Sequence, residues 1–85
     1  PFYSEPVIAN VMHVENCLTQ CDALNLKIVQ GILDGESYDL IEDRLFLSRS
    51  ALNYRLKKIF MYAQTQNRKE FESLFRNYFT KENNL

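Results

Sequence analysis

The residues best suited to recognition chemistry lie between Ser48 and Met61. Ser50, Asn53, Tyr54, Lys57 and Met61 recur at helical spacing, with Arg49, Arg55 and Lys58 around them. An asparagine amide can pair with both N6 and N7 of adenine, and a lysine can donate to O6 and N7 of guanine. A tyrosine ring can lie against a thymine methyl, or its hydroxyl can meet a phosphate. Ser48 and the first amides of the helix it opens can hold a phosphate, because free donors and the positive dipole end coincide there. The wet side of an ordinary amphipathic helix shows the same spacing, so spacing alone does not separate the two readings.

Other chemistries find less material. Cys17 and Cys21, with a lone His13, supply too few ligands for a four-coordinate zinc site. With no further cysteine to build a disulfide framework, both are expected as partly buried thiols rather than as a staple. His13 has no nucleophile or carboxylate at a recognisable spacing and reads as structural or exposed. No nucleophile–base pair, phosphate loop or metal cluster stands out, so no enzyme, cofactor or metal is expected.

The net charge is −1, which by itself argues against a polyanion partner. Its distribution argues the other way. Residues 1–43 carry eight acids and one base (1 − 8 = −7), residues 44–69 carry seven bases and no acid (+7), and the tail sums to −1. A basic block between acidic ones suits a polyanion on one face, although a solvated helix face would look alike.

These residues must be positioned by helices. Eighty-five residues with 46% apolar content allow one domain, and two glycines and two prolines leave little for a many-stranded sheet. The opening Pro1-Phe2-Tyr3 reads as the start of a fragment, and no apolar run is long enough for a membrane span. Ser4-Glu5-Pro6 predicts a helix start, and Val7, Ile8, Val11, Met12 and Val14 predict a helix over 5–16. Asp22 caps a second helix with the stripe Leu24, Ile28, Val29, Ile32 and Leu33, closed by Gly35. Ser37 opens a short third helix with Leu40, Ile41 and Leu45 inward, and Phe46-Leu47 makes a turn. Ser48 then caps a fourth helix to about Tyr62, burying Leu52, Leu56, Ile59 and Ala63. A fifth helix, about 67–79, carries Phe71, Leu74, Phe75, Tyr78 and Phe79.

A short helix, an apolar turn and a serine-capped longer helix are the parts of a helix-turn-helix. Gly35, Ser37, Ile41, Leu45, Leu47, Ser48, Leu52, Leu56, Ile59, Asn67 and Arg68 stand, without a gap, at the spacing of the LuxR/FixJ-type (GerE-like) domain. Residues 21–71 resemble that family. The run Tyr3-Ser4-Glu5-Pro6-Val7 also resembles the segment that follows the receiver domain in response regulators. The chain departs from the pattern at Glu42, Ala51, Asn53, Arg55 and Tyr62-Ala63-Gln64. Losing a threonine hydroxyl at Ala51 removes a phosphate contact expected of the family, and losing a lysine at Asn53 removes a charge from the groove-facing set. Fewer cationic contacts mean weaker and less salt-sensitive binding, since each neutralised phosphate contributes about −0.9 to the log–log slope.

The resemblance implies an all-α fold: a four-helix GerE-like helix-turn-helix domain over 21–85, preceded by a linker helix over 1–20. It implies a cytoplasmic transcription regulator that binds double-stranded DNA as a homodimer, under an upstream receiver domain and its histidine kinase. By position it makes Asn53, Tyr54 and Lys57 the base-contacting residues. Ser48, Arg49, Ser50, Arg55 and Lys58 become backbone contacts, and Phe71, Phe75, Tyr78 and Phe79 the dimerisation surface. A degenerate member of such a family could bind protein instead, using its Tyr/Phe surface, and that alternative stays open at the level of sequence.

Overall fold

Four of the helices begin where a side-chain oxygen meets amides that have no partner within the helix. Asp22 Oδ1 accepts from the Asn25 amide at 2.8 Å, and Ser37 Oγ from Leu40 at 3.1 Å. Ser48 Oγ accepts from Ala51 at 3.1 Å, and Asn67 Oδ1 from Glu70 at 2.9 Å. Each satisfies one orphan donor of a first turn. In the computed structural model, which describes the backbone of residues 5–83 and the side chains of 7–79, these caps frame an all-helical chain. It runs α1 (Glu5–Gln20), α2 (Ala23–Leu33), α3 (Tyr38–Leu45), α4 (Arg49–Tyr62) and α5 (Arg68–Asn83). Ser4, expected to cap α1, and Tyr3 lie outside the described residues.

Three helices end in the same way. Gly35, Phe46 and Gln64 adopt left-handed backbone with φ of 79°, 57° and 54°. The amide just beyond each turns back onto the last helical turn: Glu36 to Gly31, Leu47 to Glu42 and Thr65 to Phe60. Glycine takes this conformation freely, whereas a residue with a Cβ does so against steric resistance. The expected closure at Gly35 is present. The turn at Phe46-Leu47 is present too, with Phe46 94% exposed.

One core holds the five helices together. Val14 and Cys17 of α1, Ile28, Val29 and Ile32 of α2, and Ile41 of α3 meet Leu52, Leu56 and Ile59 of α4. Ala63 just beyond α4 and Phe71, Leu74 and Phe75 of α5 close it. Phe71 stacks on Phe75 with centroids 4.4 Å apart and tilts against Phe60 at 5.4 Å. Gly31 marks a close approach: a Cβ there would sit 2.6 Å from Glu36 Oε1 and 3.0 Å from Ile41 Cγ1.

The first helix does more than link. It continues four residues past the expected end, packs against both α4 and α5, and donates Asn16 Nδ2 to the Tyr62 carbonyl at 2.8 Å. Several apolar positions differ from the inward orientation that their spacing predicts. Leu33 and Leu40 are exposed rather than buried, as are Ile8 and Met12 on α1. Leu33 lies at the margin of its helix's apolar arc, and Met12, about 200° round α1 from the buried Val14, lies on the side away from the core. Leu45 is half-buried, and no helix among the described residues is long and apolar enough to cross a membrane.

Candidate nucleic-acid interface

Helix α4 is anchored from behind. Leu52 and Ile59 are fully buried and Leu56 nearly so, which fixes the rotation of the helix about its axis. At about 100° per residue, that rotation turns Ser50, Asn53, Tyr54, Lys57 and Met61 outward. All five are exposed, Tyr54 at 64% and Met61 at 62%. α3 packs against α4 across the Phe46–Ser48 turn, and the stripe lies on α4, the longer of the two helices.

The three residues expected to touch bases therefore share one open face. Tyr54 carries a further feature: the Lys58 ammonium stands 4.7 Å from its ring centroid. Hydrogen bonding and attraction to Lys58 draw the Tyr54 hydroxyl below its ordinary pKa and raise that of Lys58. Lys57 makes no ion pair among the described residues.

The arginines behave differently. Arg55 is turned inward toward α2, where its Nη1 donates to Asn25 Oδ1 at 2.8 Å and to the Asp22 carboxylate at 3.1 and 3.2 Å. Asn25 is a buried polar side chain that this guanidinium satisfies. The Asn25 amide and Arg55 together hold the Asp22 carboxyl below its ordinary range. Arg49 donates Nη2 to Asp39 at 2.5 Å and Nε to Glu42. Arg44 meets Glu36 at 2.6 Å. Arg68 lies over the Tyr38 ring, meets Glu72 and donates to the Glu36 carbonyl at 2.6 Å. The acidic first half of the chain thus folds onto the basic block and supplies carboxylates to Arg44, Arg49 and Arg55, while Arg68 takes Glu72 from its own helix. Unpaired cationic charge beside the stripe comes down to lysines.

These partners do not show in sequence spacing. Asp22 and Arg55 are thirty-three residues apart, and no local spacing rule connects them. The one signal within reach is α3 itself, where Asp39 and Glu42 lie one turn apart just ahead of Arg49. Phe60 and Tyr62, absent from the expected apolar stripes, line the edge of the core.

The expected dimerisation stripe divides into two pairs. Phe71 and Phe75 are fully buried within this chain, while Tyr78 is half-buried and Phe79 is 43% exposed. Phe79 borders an open groove between α2 and α5 that Leu33, Asp34, Glu72, Phe75 and Arg76 also line. Cys17 and Cys21 are free thiols. Burial pushes Cys17 up to about 12, so its thiol is a core group that also donates to the Ile59 carbonyl. Among the described residues, no three His, Cys, Asp or Glu side chains converge as metal ligands. No family model, no curated protein and no solved structure matches this chain.

Proposed function

We propose that this chain binds double-stranded DNA through α4, as a helix-turn-helix of the GerE-like kind, in the output domain of a bacterial transcription regulator. The observation that carries the reading is the outward stripe. Asn53, Tyr54 and Lys57 are exposed together on a helix whose opposite face is locked into the core. A rigid helix with an amide, a phenol and an ammonium on one face fits the width and hydrogen-bonding pattern of the major groove. Ser48, Ser50 and Lys58 are the backbone contacts that this surface offers most directly. Arg49 joins them only by leaving its acids, and Arg55 serves by holding α4 in place. Dimerisation, in this reading, uses Phe79 at the rim of the α2–α5 groove, with Tyr78 edge-on to it. An upstream receiver domain, a histidine kinase that phosphorylates it and a cytoplasmic setting complete the proposal, all of them drawn from the resemblance.

A second reading is favoured by a specific observation. Four arginines carry internal carboxylate partners, and Phe46 presents almost its whole ring to solvent. A surface with few free cations and an exposed aromatic suits a protein partner. Selection from a pool of random duplexes, followed by titration at two salt concentrations, separates the readings. Enrichment of a motif with affinity falling as salt rises supports the DNA reading. No enrichment, in the chain or in a phosphorylated full-length form, moves the weight to the protein partner.

A further inference from the structure

Arg49 opens α4 beside the face proposed to meet DNA, and its guanidinium is already occupied. Its Nη2 donates to Asp39 Oδ1 at 2.5 Å and its Nε donates to Glu42 Oε2. Both carboxylates come from α3, on the far side of the Phe46–Ser48 turn. Glu42 is largely covered, with a side chain 19% exposed, whereas that of Asp39 is 87% exposed and that of Arg49 50% exposed. Carboxylate oxygens along a guanidinium edge make the same charge-assisted hydrogen bonds that phosphate oxygens would make. The hydrogen bond to Glu42 raises the Arg49 pKa, and a guanidinium stays charged with any partner. Its other neighbour is the Tyr38 ring, 5.9 Å away, which holds the guanidinium against α3.

We propose that Asp39 and Glu42 form an acidic latch on Arg49, so that DNA gains this arginine only by exchanging a phosphate for two carboxylates. The inference rests on the reading of α4 as the DNA-binding helix. Exchange differs from simple addition. The carboxylates that are released face the incoming polyanion and draw cations back, which offsets the counterions that the phosphate gives up. Arg49 therefore adds little to affinity in the native chain, and the salt dependence is shallower than its surface charge suggests. The Arg49–Asp39 half of the latch is largely exposed and so weak and open to competition, whereas Glu42 holds the more covered half.

The test uses D39N/E42Q, which keeps both side-chain shapes and removes both charges. Its affinity is measured at two salt concentrations for a random-sequence duplex and for any duplex that the wild-type chain enriches. The latch predicts tighter binding of both probes by about three- to ten-fold, and a log–log salt slope steeper by up to about 0.9. Both effects should disappear when R49Q is added, because the freed arginine is their cause. D43N, which removes an exposed acid of α3 that makes no ion pair among the described residues, sets the size of generic repulsion. A gain that survives R49Q, or that D43N matches, overturns the latch. No gain at all, with the wild-type chain still binding, overturns it and leaves the DNA reading standing. No binding by any form at low salt overturns both. Circular dichroism reports whether the double variant keeps its helices; if it does not, D39N alone at its exposed position should give a smaller gain of the same sign.

Discussion

The two faces of α4 solve opposite problems with the same fourteen residues. The inner face is closed: Leu52, Leu56 and Ile59 are buried, and Arg55 is seated between Asp22 and Asn25. The outer face is open, with Ser50, Asn53, Tyr54, Lys57 and Met61 in solvent, and Arg49 stands on the flank toward α3. Its arginines show the contrast most clearly. Arg55 meets three oxygens, one of them on a buried amide, and removing it would strand a polar group in the interior. Arg49 meets one exposed oxygen on Asp39, which water and ions replace readily, and one largely covered oxygen on Glu42, and neither depends on it as Asn25 depends on Arg55. A guanidinium that satisfies a buried amide is therefore part of the fold, and one held by carboxylates alone is available to a partner.

The largest effect should come from the inner face. Leu52→Ala is expected to destabilise the chain by about 2–5 kcal/mol, through lost burial and the cavity left behind. For a domain this small that is a large part of its total stability, and a denaturant midpoint should show it. Arg55→Leu comes next. It leaves the buried Asn25 Oδ1 without its donor, which costs about 1–3 kcal/mol in thermal unfolding. Its salt slope on DNA should match that of the wild-type chain, because Arg55 faces α2. A changed slope would return Arg55 to the outer face.

Phe46→Gly runs in the other direction. Glycine relieves the left-handed backbone at φ 57° and loses almost no burial, so stability should rise by about 0.5–1 kcal/mol in spite of a more flexible unfolded chain. A loss instead would mean that the Phe46 ring contributes to folding. The smallest effect concerns pH. The folded chain holds the Asp22 carboxyl below its unfolded value, so its contribution is fully present above the ordinary carboxylate pKa. That contribution fades as pH falls through the lowered value, and in D22N this part of the acid loss should be missing from a pH-unfolding profile.

Much of α4 is legible in the sequence. Leu52, Leu56, Ile59 and Ala63 repeat at helical spacing, and Ser48 marks the start, so the rotation of the helix and its outward stripe follow from local pattern. Asp22 and Ser37 mark the starts of α2 and α3 for the same reason. What the sequence hides is long-range or marginal. Leu33 and Leu40 fit an apolar arc, yet whether a neighbour covers the edge of that arc depends on how helices cross. The role of α1 is hidden because a stripe with Val14 says that something covers it without saying what. The charge blocks give the least guidance. Counted along the chain they describe a basic region facing a polyanion, whereas folding brings Asp22, Glu36, Asp39 and Glu42 onto that region's own arginines.

The central claim is that the outward stripe of α4 reads base sequence. Its most direct test is the ratio of affinities for an enriched duplex and a random one, measured in the wild-type chain and in N53A/K57A, with thermal unfolding of the same samples. The ratio should fall by about tenfold or more, since each lost bidentate contact removes about 1–3 kcal/mol of discrimination. Stability should stay within about 0.5 kcal/mol, as both residues are exposed. An unchanged ratio in a fully folded double variant would contradict it.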